Sequence, residues 1–204
     1  MIPKLKLNLL FLNVKMVKIL KFKRRLKNLT NYYKRKVYIE SGKIRLVVRI
    51  SNKHVVAQLI KAEIKGDVCL SSVHSSQLKE FGWIFSSKNL PACYILGYML
   101  GKKALEKGIK EAVLDIGLKK PTKGARIFAV AKGAIDAGMN IPVGEEVIPD
   151  EKRLKGFHVV EYFNKIKGTD IAKFQFSRYK LIEEKLLNLP QIVEDIIEKL
   201  KTLR

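Results

Sequence analysis

The sequence contains few of the residues that build disulfides or metal centres. Its 204 residues include two cysteines, Cys69 and Cys93, and three histidines, His54, His74 and His158. Nothing else in the chain points to secretion, so we expect both cysteines to be free thiols. The histidines are scattered and none stands at ligand spacing to another histidine or to a cysteine, which argues against a zinc site. We therefore predict no bound metal.

The N-terminal segment lacks both acidic side chains and a long apolar run. Residues 1–36 carry twelve lysines and arginines and no Asp or Glu. The apolar stretch Leu7–Val14 is too short to cross a bilayer. It is interrupted by asparagine and is followed by no small-residue cleavage site, so a signal peptide is disfavoured. Met16 is an alternative start, which would make residues 1–15 upstream sequence or an extension.

Positive charge is abundant and unevenly spread along the chain. The formal net charge is +22, and residues 1–54 hold 16 cations against a single acid, Glu40. Because 47% of the residues are hydrophobic, the chain is not a disordered polycation. A basic excess of this size repels itself unless a polyanion neutralises it. Nucleic acid is the commonest such partner, since each neutralised phosphate releases a counterion. An anionic membrane surface is the alternative, although we expect no membrane partner.

Runs of β-branched residues predict three strands, at 44–50, 54–64 and 68–73. Ser51-Asn52-Lys53 and Gly66-Asp67 are short turn sequences, so the strands are expected to form an antiparallel meander. A loop rich in aromatic residues follows, and then a helix capped by Asn89 that continues to about Lys107. A short buried strand over 111–116 and a second helix over 125–137 complete the pattern. The expected fold is α/β, a mixed sheet of the meander plus one added strand, with two helices packed on it.

The chain divides into three predicted regions. Residues 1–40 form a basic arm, residues 41–140 an α/β RNA-binding domain, and residues 141–204 an extension with short helices at 178–188 and 190–203. Within the first long helix, Gly97 and Gly101 lie one turn apart, so that face is expected to approach another backbone closely.

Motifs for catalysis are weak. Residues 97–102 imitate a phosphate-binding loop, but the spacing between the glycines is one residue short and Lys103 stands where Ser or Thr should bind magnesium. A ribonuclease H-like nuclease is an alternative, with Asp115, Asp67 and Asp136 as metal ligands. Asp67 instead has the character of a turn residue, and the first strand carries arginines and no acid. We predict no enzymatic activity, no catalytic residue and no cofactor.

Two basic clusters lie within the predicted domain. The first comprises Arg49, Ser51, Asn52, Lys53 and His54. It combines cations with short polar side chains, which suits contacts with phosphates and 2′-hydroxyl groups. The second comprises Lys119, Lys120, Lys123, Gly124 and Arg126 at the start of a helix, where free N–H groups and lysines favour an anion. In the arm, Asn31, Tyr32 and Tyr33 add groups that can stack on or hydrogen-bond to unpaired bases.

Residues 23–162 closely resemble the 5S-rRNA-binding protein of the large ribosomal subunit, the universal "L-eighteen" family, in its archaeal form. The matching stretches occur in the family's order. They are KRRLKNLTNYYKR, RLVVRISNKHVVAQLI, LSSVHSSQLKEFGW, NLPACYILGYMLGKKALEKGIKEAVLDIGL, PTKGARIFAVAKGAIDAGMNIP and GEEVIPDEKRLKGFHVVEY. The motifs supply no counterpart for the first 15 residues or for the chain after about Asn164.

The resemblance implies a translational-machinery fold and a non-enzymatic ribosomal protein of the cytoplasmic large subunit. The implied partners are 5S rRNA, 23S-type rRNA and neighbouring large-subunit proteins, including the other 5S-binding protein. The chain departs from the family's pattern at Ser86-Ser87-Lys88, where a glycine-rich loop is usual, and Lys88 is expected to add a phosphate contact there. The predicted RNA contacts are Lys18, Lys21, Lys23, Arg24, Arg25, Lys27, Asn31, Tyr32, Lys34, Arg35, Arg49, Ser51, Asn52, Lys53, His54, Lys88, Asn89, Lys123 and Arg126. A stand-alone RNA chaperone remains the binding-module alternative.

Overall fold

The computed structural model describes residues 20–63, 66–176 and 183–202. The helices are α1 (Lys23–Leu26), α2 (Tyr32–Ser41), α3 (Leu90–Glu106), α4 (Arg126–Asp136), α5 (Glu151–Lys155), α6 (Phe157–Ile166), α7 (Asp170–Gln175), α8 (Glu183–Leu187) and α9 (Leu189–Thr202). The strands are β1 (Arg45–Ile50), β2 (Val55–Lys61), β3 (Val68–His74) and β4 (Val113–Asp115). Short 3-10 helices span Ser75–Phe81 and Glu145–Val147.

The four strands form one mixed sheet in the order β3-β2-β1-β4. β1 and β2 pair antiparallel, as do β2 and β3, whereas β4 adds to β1 in parallel. A parallel addition needs a long crossover connection, and α3 supplies it between β3 and β4. The predicted fold class, a meander plus one added strand with helices packed on it, is confirmed.

Two of the predicted strands are shorter in the structure by more than one residue. β2 ends at Lys61 rather than at residue 64. The fourth strand was expected over 111–116 but spans Val113–Asp115. Its boundaries follow from local bonding, since Glu111 leaves the ladder to bridge Asn140. At the other end, the Asp115 carboxylate accepts a 2.8 Å hydrogen bond from the backbone of Gly117.

α3 and α4 pack backbone against backbone on one face of the sheet. Asn89 caps α3 by accepting a 2.9 Å hydrogen bond from the Ala92 N–H, as predicted. A Cβ at Gly97 would overlap the main chain of Val130, so only glycine permits this approach. Gly133 makes the reciprocal approach to α3. The core lies between these helices and the inward side chains of β1 to β3.

The C-terminal third contains more helix than the sequence pattern indicated. α5 forms within residues 141–156, whose prolines and glycines favour turns, and α6 and α7 follow that stretch. The predicted helices at 178–188 and 190–203 correspond to α8 and α9, and residues 177–182 and 203–204 lie outside the described residues. α9 buries Val193, Ile196 and Leu200, which join the same core as the helices on the sheet. No helix within the described residues is long and apolar enough to span a bilayer.

Candidate RNA-binding surface

The described part of the arm, residues 20–40, contains α1 and most of α2, and both helices keep their side chains at or near the surface. Neither α1 nor α2 contains a buried residue. Asn31 begins α2, where its Oδ1 accepts hydrogen bonds from the N–H groups of Tyr33 and Lys34, at 3.1 and 3.3 Å. The predicted contacts Lys21, Lys23, Arg24, Arg25, Lys27 and Lys34 are exposed. Lys18 lies outside the described residues.

Aromatic rings lie among the cations of the arm. The rings of Phe22 and Tyr32 are 5.0 Å apart between centroids. The Arg25 guanidinium lies 5.7 Å from the centre of the Tyr33 ring. Tyr33 is exposed, so the arm presents a π face together with positive charge, as the sequence predicts for contact with unpaired RNA.

The arm faces the side of the sheet that α3 and α4 do not cover. Side chains alternate along β1, so Leu46 and Val48 enter the core while Arg45, Val47 and Arg49 lie on the opposite face. A cleft of about 250 Å³ separates this face from the arm. Its lining cations come from both sides of the cleft and are Arg24, Lys34, Arg35, Arg45 and Arg49.

Two carboxylates hold the arginines of the cleft in place. Arg45 Nη2 lies 2.9 Å from Asp67 Oδ2, and Arg45 Nη1 lies 3.3 Å from Asp115 Oδ2. Arg49 Nη2 approaches the same Asp115 oxygen at 3.4 Å, while its Nη1 donates to the Asp115 carbonyl at 2.9 Å. Arg45 and Asp115 are 6% and 7% exposed, so this pair is buried. Arg49 keeps half of its side chain at the surface and remains able to meet a phosphate.

Asp67 has a role that its turn sequence did not indicate. It lies in the loop before β3, as expected, and its second oxygen accepts a 3.0 Å hydrogen bond from Arg35 of the arm. The carboxylate therefore joins α2 to β1. Nothing in the local sequence signals this contact, because its partners lie 32 and 22 residues away.

The β1–β2 hairpin gathers the first predicted basic cluster. Ser51 Oγ accepts from the His54 N–H at 3.0 Å, which closes the turn and leaves Asn52 and Lys53 exposed at its tip. The His54 ring stacks on His74 of β3 with centroids 4.8 Å apart. Lys88 Nζ donates to the Asn52 carbonyl at 2.7 Å, so the loop before α3 joins the hairpin.

The second basic cluster forms a cleft of about 640 Å³ at the start of α4. Lys119, Lys120 and Arg126 line it, as the sequence indicated, and Lys88 and His158 line it as well. Arg126 Nη1 donates to the Lys88 carbonyl at 3.4 Å. Lys123 does not line this cleft, and it lies 3.6 Å from Glu146 in an exposed ion pair.

His158 is a lining residue that sequence reasoning missed, because it comes from α6 in the extension. Burial, with Arg153 nearby, lowers the pKa of the His158 side chain below its ordinary value. The ring is therefore held neutral at neutral pH. It contributes shape and hydrogen-bonding capacity to the cleft rather than charge.

The acids proposed for the nuclease alternative are tied to other partners. Asp115 contacts two arginines, and Asp67 contacts Arg35 and Arg45. Asp136 accepts from the Tyr94 hydroxyl at 2.8 Å and pairs with a lysine on its own helix. Within the described part of the chain, no three His, Cys, Asp or Glu side chains come together as a metal site.

Both cysteines are free thiols in the structure. Cys69 is exposed on β3. Cys93 lies on the buried side of α3, where burial raises the pKa of its thiol to about 12. A thiol of this kind is protonated at neutral pH and serves as a small apolar core residue.

Comparison with known proteins extends the similarity beyond the motifs. Residues 18–111 and 106–144 match the family described as ribosomal large subunit proteins 60S L5 and 50S L18. The chain is 44% identical over 181 residues to the large ribosomal subunit protein uL18 of Methanothermobacter thermautotrophicus, which covers 89% of this chain and 94% of that protein. It is 46% identical over 185 residues to uL18 of Sulfurisphaera tokodaii, with 89% and 94% covered. With uL18 of Saccharolobus solfataricus it shares 45% over 183 residues, with 88% and 92% covered.

The C-terminal segment therefore has counterparts that the motifs did not reveal. An alignment that covers 89% of a 204-residue chain cannot end at residue 164. The identity and coverage leave one conclusion: the chain belongs to the uL18 family of large-subunit ribosomal proteins.

Proposed function

We propose that the chain binds 5S rRNA and helps to attach it to 23S-type rRNA in the central protuberance, as a structural constituent without catalytic activity. Membership of the uL18 family puts it in the large ribosomal subunit, in the cytoplasm. Its other proposed partners are neighbouring large-subunit proteins, including the second 5S-binding protein. The supporting observation is that the cations of the arm, the hairpin and the start of α4 form adjoining groups.

Lys88 joins two of these groups. Its ammonium donates to the Asn52 carbonyl of the hairpin, and its own carbonyl accepts from Arg126 at the start of α4. The arm adjoins the same region through the cleft that it shares with Arg49. Arg49 lies in β1, two residues before Ser51 of the hairpin turn. The three groups therefore form one continuous basic surface that can contact a long stretch of phosphate backbone.

The polar groups of this surface have separate roles toward RNA. Lysine and arginine neutralise phosphates, which supplies affinity without sequence information. Asn31 uses its side-chain oxygen to cap α2, so its amide nitrogen remains to donate to a base or phosphate. Tyr32 offers a ring face for stacking on an unpaired base.

The test compares 5S rRNA with an unrelated structured RNA of similar length, at physiological salt and magnesium. We expect tighter binding of 5S rRNA, weakened by Lys53→Gln with Arg126→Gln. The matched control, Lys165→Gln with Lys167→Gln, removes the same charge from exposed lysines outside the proposed surface. Equal affinity for both RNAs would contradict 5S recognition, and an equal loss in the control would contradict the assigned surface.

Sedimentation tests the ribosomal role directly. We expect the chain to co-sediment with large subunits, and deletion of residues 16–36 to release 5S rRNA from them. Sedimentation of the intact chain only as free protein at physiological salt would favour the chaperone alternative over a structural constituent.

A further inference from the structure

Polar contacts, rather than apolar burial, hold α2 against the sheet. α2 contains no buried side chain, so the hydrophobic effect contributes little to its position. Arg35 Nη2 lies 3.0 Å from Asp67 Oδ1, and the Tyr38 ring centre lies 5.5 Å from the Arg45 guanidinium. Arg35 and Tyr38 are three residues apart and therefore share one side of the helix. That side faces the sheet.

Asp67 connects the arm to a rigid part of the domain. Its second oxygen lies 2.9 Å from Arg45 Nη2, and Arg45 is in turn held by Asp115 beneath it. The Arg45 side chain is 7% exposed, against 32% for Arg35 and 26% for Asp67. The carboxylate thus bridges one guanidinium that is fixed in the sheet and one that belongs to the arm.

We propose that Asp67 is a positioning residue that docks the arm across the open face of the sheet before RNA arrives. Docking orders the cations of α1 and α2 beside Arg49, so RNA meets a preformed surface rather than a loose tail. The proposal deepens the proposed function and rests on it, because it takes RNA as the ligand of the arm.

The proposal predicts an effect opposite to that of simple charge counting. An acid on an RNA-facing surface repels phosphates, so its removal should strengthen binding. If Asp67 instead orders the arm, its removal weakens binding, because the ordering cost is then paid on association. The sign of the change in affinity separates the two accounts.

Asp67→Asn tests the proposal in the full-length chain. The substitution keeps the size of the side chain and removes its charge. The matched control is Glu63→Gln, in the same loop, whose carboxylate pairs with Lys61 at 3.5 Å rather than with the arm. Tryptic cleavage of α2 at Lys34 and Lys36, measured without RNA, reports how often the arm opens. Affinity for 5S rRNA reports the consequence for binding.

We expect Asp67→Asn to speed cleavage of the arm about fivefold, which is the effect of losing one partly exposed ion pair. RNA binding should weaken by less, about threefold, because removal of the acid also relieves its repulsion of phosphates. Asp67→Glu should restore most of both properties, since it keeps the charge. In an Arg35→Gln background, Asp67→Asn should add little. Glu63→Gln should leave cleavage unchanged and binding equal or slightly tighter.

Cleavage that stays at the unsubstituted rate in Asp67→Asn would overturn the proposal. So would an affinity for RNA that rises as it does in the Glu63→Gln control. Failure of the proposed function would give a different result. The unsubstituted chain would then bind 5S rRNA and an unrelated RNA equally well, while the cleavage assay would still report whether Asp67 docks the arm.

Discussion

The salt dependence of RNA binding is the sharpest measure of the arm's contribution. Arg24 and Arg25 are exposed on α1, and the Arg24 Nε donates a 2.9 Å hydrogen bond to the nearby Thr30 hydroxyl. Both guanidinium groups therefore remain accessible to phosphates. We predict that Arg24→Gln with Arg25→Gln lowers the slope of log affinity against log salt.

The magnitude follows from counterion release. Each phosphate contact contributes about 0.7 to the slope on single strands and about 0.9 on duplex, so loss of two contacts lowers it by about 1.4–1.8. Over a fourfold rise in salt, from about 50 to 200 mM, the unsubstituted chain should lose about seven to twelve times more affinity than the variant. Fluorescence anisotropy with labelled 5S rRNA at a series of salt concentrations measures both slopes.

The control removes two exposed lysines outside the proposed surface, Lys165→Gln with Lys167→Gln. Its slope should match that of the unsubstituted chain. An unchanged slope in the arginine variant would show that these side chains do not contact phosphates. An equal fall in the control would show that net charge, rather than position, governs binding.

Three further predictions concern the folded domain. Gly97→Ala should destabilise it by about 2–3 kcal/mol in urea unfolding, because the added methyl meets the Val130 main chain, whereas Gly144→Ala, which meets open space, should be near neutral. Asp115→Asn should lower the free energy of unfolding by about 2 kcal/mol, because the buried Arg45 loses one of its two carboxylate partners. An unchanged midpoint of urea unfolding would argue against the buried pair of Arg45 and Asp115. Alkylation of the folded chain at about pH 8, followed by mass spectrometry, should label Cys69 and spare Cys93. Cys93 is buried, and its thiol pKa, raised to about 12, keeps it protonated at that pH. Equal labelling of the two cysteines would contradict this.

Several features follow from the sequence because their causes are local. Turn residues at 51–53 and β-branched runs on either side suffice to predict the β1–β2 hairpin. Asn89 followed by an apolar run predicts the cap and the helix of α3. The spacing of Gly97 and Gly101 predicts a close helix contact, since only glycine permits backbones to meet. The alternation of side chains along a strand likewise puts Arg45 and Arg49 on one face of β1, opposite Leu46 and Val48.

Other features were missed because local pattern does not contain them. The prolines and glycines of 141–156 indicated turns, although α5 forms within that stretch and α6 and α7 follow it. α5 carries one apolar side chain, Leu154, which is buried where α5 packs on α3 and α9, so tertiary burial outweighs weak propensity there. His158 reaches the α4 cleft through this packing, so no spacing in the sequence could assign it.

The sequence by itself determined the kind of partner and the sites of greatest charge. Charge adds along a chain, so an acid-free arm predicts a polyanion whatever the fold. Only the tertiary structure decided which charges meet. Arg45 and Asp115 are 70 residues apart, and parallel addition of β4 beside β1 brings them within hydrogen-bonding distance. The same packing turns Asp67 from a turn residue into the bridge between arm and sheet, because contacts across a sheet depend on strand order and register.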